Sequence, residues 1–253
     1  MLNIVLPMAG RGSRFADAGY TLPKPLIPIH GVPMIKVVVD NLAPKQSHRF
    51  IFVAQQEHID KYDLTPKLKS YSKNVEVIGI NSITEGQVCT ALLARKFFDN
   101  DEPLMNANSD QYIDFDINEY LDSMASRNLD GMIMTMKSQD PKWSYAKTND
   151  DGIVQETAEK QVISPDATVG IFNFKCGSDL VRSAEQMIRD DLRVNNEFYT
   201  CPCYNYLIHE GKKVGIYPIG EEYNGMYGLG IPSDLDFFAN HPVSQKLIQR
   251  RAA

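Results

Sequence analysis

An α/β protein, with a mixed and mainly parallel sheet flanked by helices, is what the sequence predicts, and three observations predict it. Short Val/Ile/Leu runs alternate with helical patterns through the first half of the 253 residues. Those runs are close to continuously apolar, the pattern of strands buried on both faces. In the second half, strand patterns follow one another with less helix between them, so part of the sheet is expected to depart from the parallel arrangement.

Taken in order, the apolar run at residues 3–7 is the first strand, and a helix is expected over 33–42, opening on Pro33, whose fixed φ suits a first helical turn. Strands at 50–54 and 75–80, a helix over 86–98 and a strand near 103–106 complete the alternating half. A helix ending near Ser126 leads into strands at 131–137, 143–148, 153–156 and 168–175. A helix over 178–189, another over 204–209, a strand at 213–218 and a last helix from about Pro232 follow. No repeat, low-complexity tract or long linker interrupts them, so residues 1–253 read as one domain.

Composition sets the outer limits. The chain is 43% hydrophobic and 23% charged, the balance of a globular protein that buries a full core. A formal net charge of -6 and a pI near 5.4 argue against a surface that tracks nucleic acid, which needs excess Lys and Arg to displace counterions. No apolar run reaches the ~18 residues of a membrane span. The N-terminus opens into a strand-like run with no signal-peptide pattern, so the expected location is the cytoplasm. Cys89, Cys176, Cys201 and Cys203 are too few for a disulfide framework, and Cys201-Pro202-Cys203 has no second ligand pair at metal spacing. Buried free thiols are expected.

The most informative stretch is L-P-M-A-G-R-G-S-R-F at residues 6–15, directly after the first strand, followed by P-K-P-L-I-P-I at 23–29. Glycines at a strand end let backbone N–H groups approach a phosphate, and in an open parallel sheet that end is where ligands bind. The loop lacks the lysine of the common phosphate loop, and Phe15 stands where the dinucleotide fingerprint needs its third glycine. Arg14 in the loop and Lys24 between two prolines place fixed positive charge beside a polyphosphate.

These stretches, with G-V-P-M-I at 31–35, resemble the signature of the sugar-phosphate nucleotidyltransferases, also called nucleoside-diphosphate-sugar pyrophosphorylases. The resemblance implies a Rossmann-like, glycosyltransferase-A-like fold, with a nucleotide-binding half at about 1–115 and an acceptor-binding half at about 116–253. It implies catalytic roles for Arg14 and Lys24 on the triphosphate, and nucleotide contacts from Leu6, Ala9, Gly10, Arg11, Gly12, Ser13, Glu85, Gly86, Gln87 and Ser109. Asp110, after the fourth apolar strand, resembles the family's Mg²⁺ ligand. Glu159-Lys160, ahead of the strand carrying Gly170, resembles the E-K-P motif that meets the acceptor and its phosphate, with Gln161 replacing the proline. Tyr112, Trp143, Glu197, Tyr199 and Tyr204 either line the acceptor pocket or pack in the core.

One departure is visible. Where the family often carries a second metal-binding aspartate, this chain has Gly228, so a second ligand comes from Glu222 or Asn224 or is absent. The ending G-L-G-I-P at 228–232 and N-E-F-Y at 196–199 are similar to capsule-pathway members, one of which activates phosphoglutamine with CTP. The implied activity is transfer of NMP from an NTP, CTP first, to phosphoglutamine or a sugar 1-phosphate with Mg²⁺, by a protein for which a homodimer is the default assembly. Two rivals remain: a glycosyltransferase that uses Asp114-Phe115-Asp116 as its D-x-D motif, and a nucleotide sensor without catalysis. Asp116 otherwise caps the helix that begins near Ile117.

Overall fold

A computed structural model describes residues 1–247. Strand β1 (Leu2–Pro7) runs into helix α1 (Ser13–Asp17), a short hairpin of β2 (Pro28–Ile29) and β3 (Val32–Pro33), and α2 (Met34–Leu42). Then come β4 (His48–Gln55), α3 (Gln56–Tyr62), α4 (Leu64–Lys69), β5 (Val75–Ile80), α5 (Gln87–Leu92), β6 (Leu104–Ala107) and β7 (Gln111–Ile113). The second half has α6 (Ile117–Ser126), β8 (Gly131–Lys137), β9 (Ser144–Thr148), β10 (Val154–Glu159), β11 (Asp166–Phe174) and α7 (Gly177–Arg189). Helix α8 (Cys203–His209), β12 (Val214–Glu222), β13 (Gly225–Gly228) and α9 (Pro232–Asn240) follow.

Among the described residues, one sheet carries eleven of these strands, with the path β5-β4-β1-β6-β11-β8-β12-β13-β7 and the pair β9 and β10 attached to β11. Pairs β5/β4, β4/β1 and β1/β6 are parallel, while β11 runs antiparallel to both of its neighbours on that path. This is the mixed, mainly parallel, Rossmann-like sheet that the alternating pattern predicts. Helices α2, α4 and α6 bury their apolar faces on one side, around Val38, Leu68 and Tyr120, and α5, α7 and α8 on the other, around Val88, Leu180 and Leu207.

Three departures from the sequence reading have local causes. The helix expected over 86–98 stops at Leu92 and tightens into a 3-10 turn, Arg95–Phe97. The tightening turns Phe98 fully into the core while Arg95 reaches Glu185 at 2.7 Å. Helices α3 and α4 carry too little apolar periodicity to be read ahead, and three-residue β7 is too short. The cysteines are free thiols, with Cys201 and Cys203 buried; burial pushes the Cys203 thiol up to about 12. No helix in the described residues is long and apolar enough to cross a membrane.

Two features place the site. Strand β1 has β4 and β5 on one side and β6 on the other, so the order of connection reverses beside β1, and a crevice opens outside the carboxyl ends of β1 and β6. Between β6 and β7 the chain has only residues 108–110, yet β7 lies at the far end of the sheet path. Four Cα steps span at most ~15 Å. The sheet therefore curls until its far edge stands over the ends of its central strands.

The curled edge is clipped in place by Asn41 of α2, whose amide donates to the Ile113 carbonyl and accepts from the Ile113 N–H, both at 2.8 Å. Asn41→Ala leaves two buried backbone groups unpaired and is expected to destabilise the fold by about 2 kcal/mol or more. A urea midpoint lowered at unchanged slope is the measurement that checks it.

Candidate active site

The crevice begins at the loop after β1. Gly12 is left-handed (φ 63°) at the start of α1, and Arg11, Ser13 and Arg14 stand exposed around it. The Gln55 amide props the loop from behind, donating to the carbonyls of Ala9 at 3.0 Å and Gly10 at 3.2 Å. Lys24 opens a 3-10 turn whose second residue is Pro25, and its Nζ lies 2.7 Å from Asp110 Oδ2. The turn that carries Asp110 is tied down by Ser109, whose hydroxyl donates to the Pro7 carbonyl at 3.1 Å, and by the Asn108 N–H, which donates to the Gly170 carbonyl at 2.9 Å.

Gly170 has φ 79° and sits where the β11 register slips against β8. A Cβ there would come within 2.1 Å of Asn108 Nδ2, so the glycine leaves the asparagine its room. Gly86, with φ 132°, makes a comparable approach: a Cβ would lie 2.3 Å from the Phe198 carbonyl oxygen. The Phe198 N–H donates to the Glu85 carbonyl at 2.8 Å, so the start of α5 is fastened to the stretch before α8.

Across the crevice, Lys160 takes a left-handed conformation (φ 54°) at the end of β10, and its Nζ donates to the Tyr199 hydroxyl at 2.7 Å. Left-handed backbone at a lysine is strain of a kind that concentrates at binding sites. Glu159 accepts a hydrogen bond from the Ser144 hydroxyl. Burial raises the Glu159 carboxyl above its ordinary value, with Ser144 and Lys160 opposing the shift. Burial, then the neighbouring Glu197, raises the Tyr199 phenol in the same way, so it stays protonated.

These groups share one cleft of about 480 Å³. Of the residues that the sequence nominates, it brings together Gly10, Arg14, Lys24, Gln87, Ser109, Asp110, Glu159, Lys160 and Gly170. A side pocket of about 220 Å³ adjoins it, lined by Ala9, Gly86 and Thr90, with Gly10 and Gln87 shared between the two. Leu6, Arg11, Gly12, Ser13 and Glu85 line neither: the Leu6 side chain is core, and Glu85 turns outward to Arg193 at 3.3 Å. Trp143, Glu197 and Tyr199 line the cleft, whereas Tyr112 and Tyr204 are buried packing. Asn108, the first residue of the Asn108-Ser109-Asp110 stretch, also lines it, as do Lys142, Ser144 and Thr200, which carry no sequence motif and are brought there by the fold alone.

The alternative carboxylates are otherwise engaged. Asp114 pairs with Lys246, Asp116 caps α6 through the Asn118 N–H at 2.9 Å, and neither lines the cleft. Glu222 binds Lys142 at 3.0 Å, and a Cβ on Gly228 would face Asp234 at 3.1 Å. Among the described residues no three acidic, histidine or cysteine side chains converge as a metal cage.

An open α/β sheet with a glycine loop, two cations and a carboxylate at its switch point has the form of a nucleotide-binding protein. The nucleotidyl transferase family signature matches residues 3–201, and the chain belongs to that family. Solved structures agree on the fold. A nucleoside-diphosphate-sugar pyrophosphorylase from Vibrio cholerae RC9 superposes with a TM-score of 0.81 at 24% identity, over 94% of this chain and 100% of that one. A UDP-glucose pyrophosphorylase from Acinetobacter baumannii gives 0.70 at 15% identity, over 100% and 99% of the two chains. A Bacillus anthracis protein assigned as a glucose-1-phosphate thymidylyltransferase, solved with sucrose, gives 0.70 at 16%, over 95% and 94%.

Glu159 yields a stability prediction. The folded protein holds the Glu159 proton more tightly than the unfolded chain does, so its contribution is fully present below the ordinary glutamate value and is lost as pH rises through the raised one. Glu159→Gln is expected to remove that loss. The check is the urea midpoint, followed from mildly acidic to neutral pH in both proteins.

Proposed function

We propose that this nucleotidyltransferase moves the NMP unit of an NTP, with CTP as donor, onto a small phosphorylated metabolite and releases pyrophosphate. The acceptor is phosphoglutamine or a sugar 1-phosphate, and the product supplies capsule or surface polysaccharide synthesis. The observation that carries the reading is one continuous cleft lined both by Arg14, Lys24 and Asp110 and by Glu159 and Lys160. CTP and phosphoglutamine are supported by the resemblance of residues 196–199 and 228–232 to capsule-pathway members, and a single-ring base by the small side pocket. The pyrophosphorylases of like fold support the sugar 1-phosphate.

In this reading the acceptor phosphate oxygen attacks the α-phosphorus, a new P–O bond forms, and the bond to the bridging oxygen breaks to free pyrophosphate. A phosphate is already ionised at neutral pH, so no general base is needed; positioning and charge neutralisation supply the rate. Arg14 and Lys24 neutralise the triphosphate, Lys160 holds the acceptor phosphate, and Glu159 accepts from the acceptor's hydroxyl or amide groups. The hard carboxylate of Asp110 suits Mg²⁺, which takes one or two protein carboxylates and completes its shell with substrate oxygens and water. When bound, the ion neutralises phosphate charge beside Lys24.

Pyrophosphate release is expected only when one of CTP, UTP, dTTP, ATP and GTP meets one acceptor from a panel of sugar 1-phosphates and phosphoglutamine. Asp110→Ala should abolish it, and chelation should stop it until Mg²⁺ is returned. Silence across the whole panel, with nucleotide binding intact, would sink the reading. Lys24→Ala removes one fixed charge from the transition state and is expected to lower kcat by about 10²-fold to 10³-fold, read from initial rates.

A further inference from the structure

A line of side-chain hydrogen bonds runs from the middle of the sheet into the cleft. Asn106, fully buried on β6, donates through Nδ2 to Thr200 Oγ1 at 2.7 Å. Thr200, also fully buried, donates its hydroxyl proton to Gln87 Oε1 at 3.1 Å. Gln87 Nε2 then donates to Asn108 Oδ1. The four side chains come from β6, the stretch before α8, the start of α5 and the turn before β7, and they meet only in the fold. Asn106 meanwhile leaves its own Oδ1 without a partner. A buried orphan of that kind is rare and calls for a reason beyond packing.

The direction of the line has a chemical consequence. A side-chain amide has one donor end and one acceptor end, and a threonine hydroxyl has a single proton. With Asn108 Oδ1 taken by Gln87, Nδ2 is the end that remains. It lies against Gly170, in the cleft, and among the described residues no protein acceptor takes its hydrogens. Asn108 stands two residues from Asp110 and hydrogen-bonds through its backbone to Gly170, and all three line the cleft.

We propose that Asn108 is a specificity-determining contact that donates through Nδ2 to a substrate oxygen where donor nucleotide and acceptor meet, and that Thr200 and Gln87 are positioning residues that hold it so. The inference rests on the nucleotidyltransferase reading above and adds the polarity of the central contact. A phosphate or hydroxyl oxygen satisfies the amide, while an ammonium or N–H group at that point leaves it unpaired and is rejected. It also gives the Gln87 side chain a positioning duty: its amide links Thr200 to Asn108 with one hydrogen bond at each end.

Four variants test it through kcat and KM for both substrates, with nucleotide affinity measured by calorimetry. Asn108→Asp keeps the shape and loses the donor; a fall in kcat/KM of about 10-fold to 100-fold is expected. The substrate whose KM rises is the one that carries the oxygen. Thr200→Val keeps the shape and breaks the line, with a loss of about tenfold, while Thr200→Ser restores the hydroxyl and the activity. Gln87→Glu replaces the donor with an oxygen at a half-buried position, should lose as much as Thr200→Val, and carries the test if the buried valine does not fold. Wild-type kcat/KM in folded Asn108→Asp overturns the proposal, as do equal losses in Thr200→Val and Thr200→Ser.

If the wild type binds nucleotide but releases no pyrophosphate with any pair, the functional reading falls first. Affinity for the nucleotide and for each phosphorylated acceptor then judges the contact: about tenfold weakening of either in Asn108→Asp supports it, and unchanged affinity for all of them overturns it. No nucleotide binding by the wild type overturns both.

Discussion

The three residues between β6 and β7 constrain everything around them. The chain leaves the centre of the sheet at Ala107 and must be pairing with β13 by Gln111, so the sheet has no choice but to curl. Curling brings the far edge over the carboxyl ends of β1 and β6, where a parallel sheet already opens a crevice. The carboxylate, the asparagine and the serine of that turn are thereby delivered to the mouth of the crevice by backbone geometry. Ser109 then ties the turn to Pro7, and Asn41 holds β7 just beyond it at Ile113.

Charge in the cleft is arranged so that the free protein tolerates it. Lys24 and Asp110 pair with each other at 2.7 Å, both partly buried, and the pairing keeps both groups in place. In the same cleft Lys160 leans on a tyrosine hydroxyl and ring instead of a carboxylate, with its Nζ 4.7 Å from the ring centroid. A cation held by neutral groups keeps its charge for an incoming anion. Glu159 takes a different course, since burial with a single hydroxyl partner holds its carboxyl in a less ionised state than an exposed glutamate.

The two halves of the cleft are not independent bodies. Phe198 binds the Glu85 carbonyl through its backbone, presses on the open face of Gly86 and carries the Arg193 guanidinium 4.2 Å over its ring. The segment that supplies Tyr199 and Thr200 is therefore bolted to the segment that starts α5. The side pocket at Gly86 and the wall that carries Tyr199 and Thr200 therefore share one hydrogen-bonded piece of backbone.

Much of this was legible in the amino-acid order. Apolar runs and helical periods dictate the α/β class, because burial on two faces demands them, and a glycine loop after a strand with cations at Arg14 and Lys24 is a pattern carried by neighbouring residues, on which the proposed phosphate site rests. Asp116 as a helix cap was readable for the same reason. What the order of residues could not convey is whatever depends on distant segments meeting. Three-residue β7, Asn41 clasping Ile113, and Asn106, Thr200, Gln87 and Asn108 falling into line belong to that class. Hydrogen bonds between side chains as far apart in sequence as Gln87 and Thr200 leave no period or spacing behind them, so only the tertiary structure decides which asparagine faces the substrate and which end of its amide it presents.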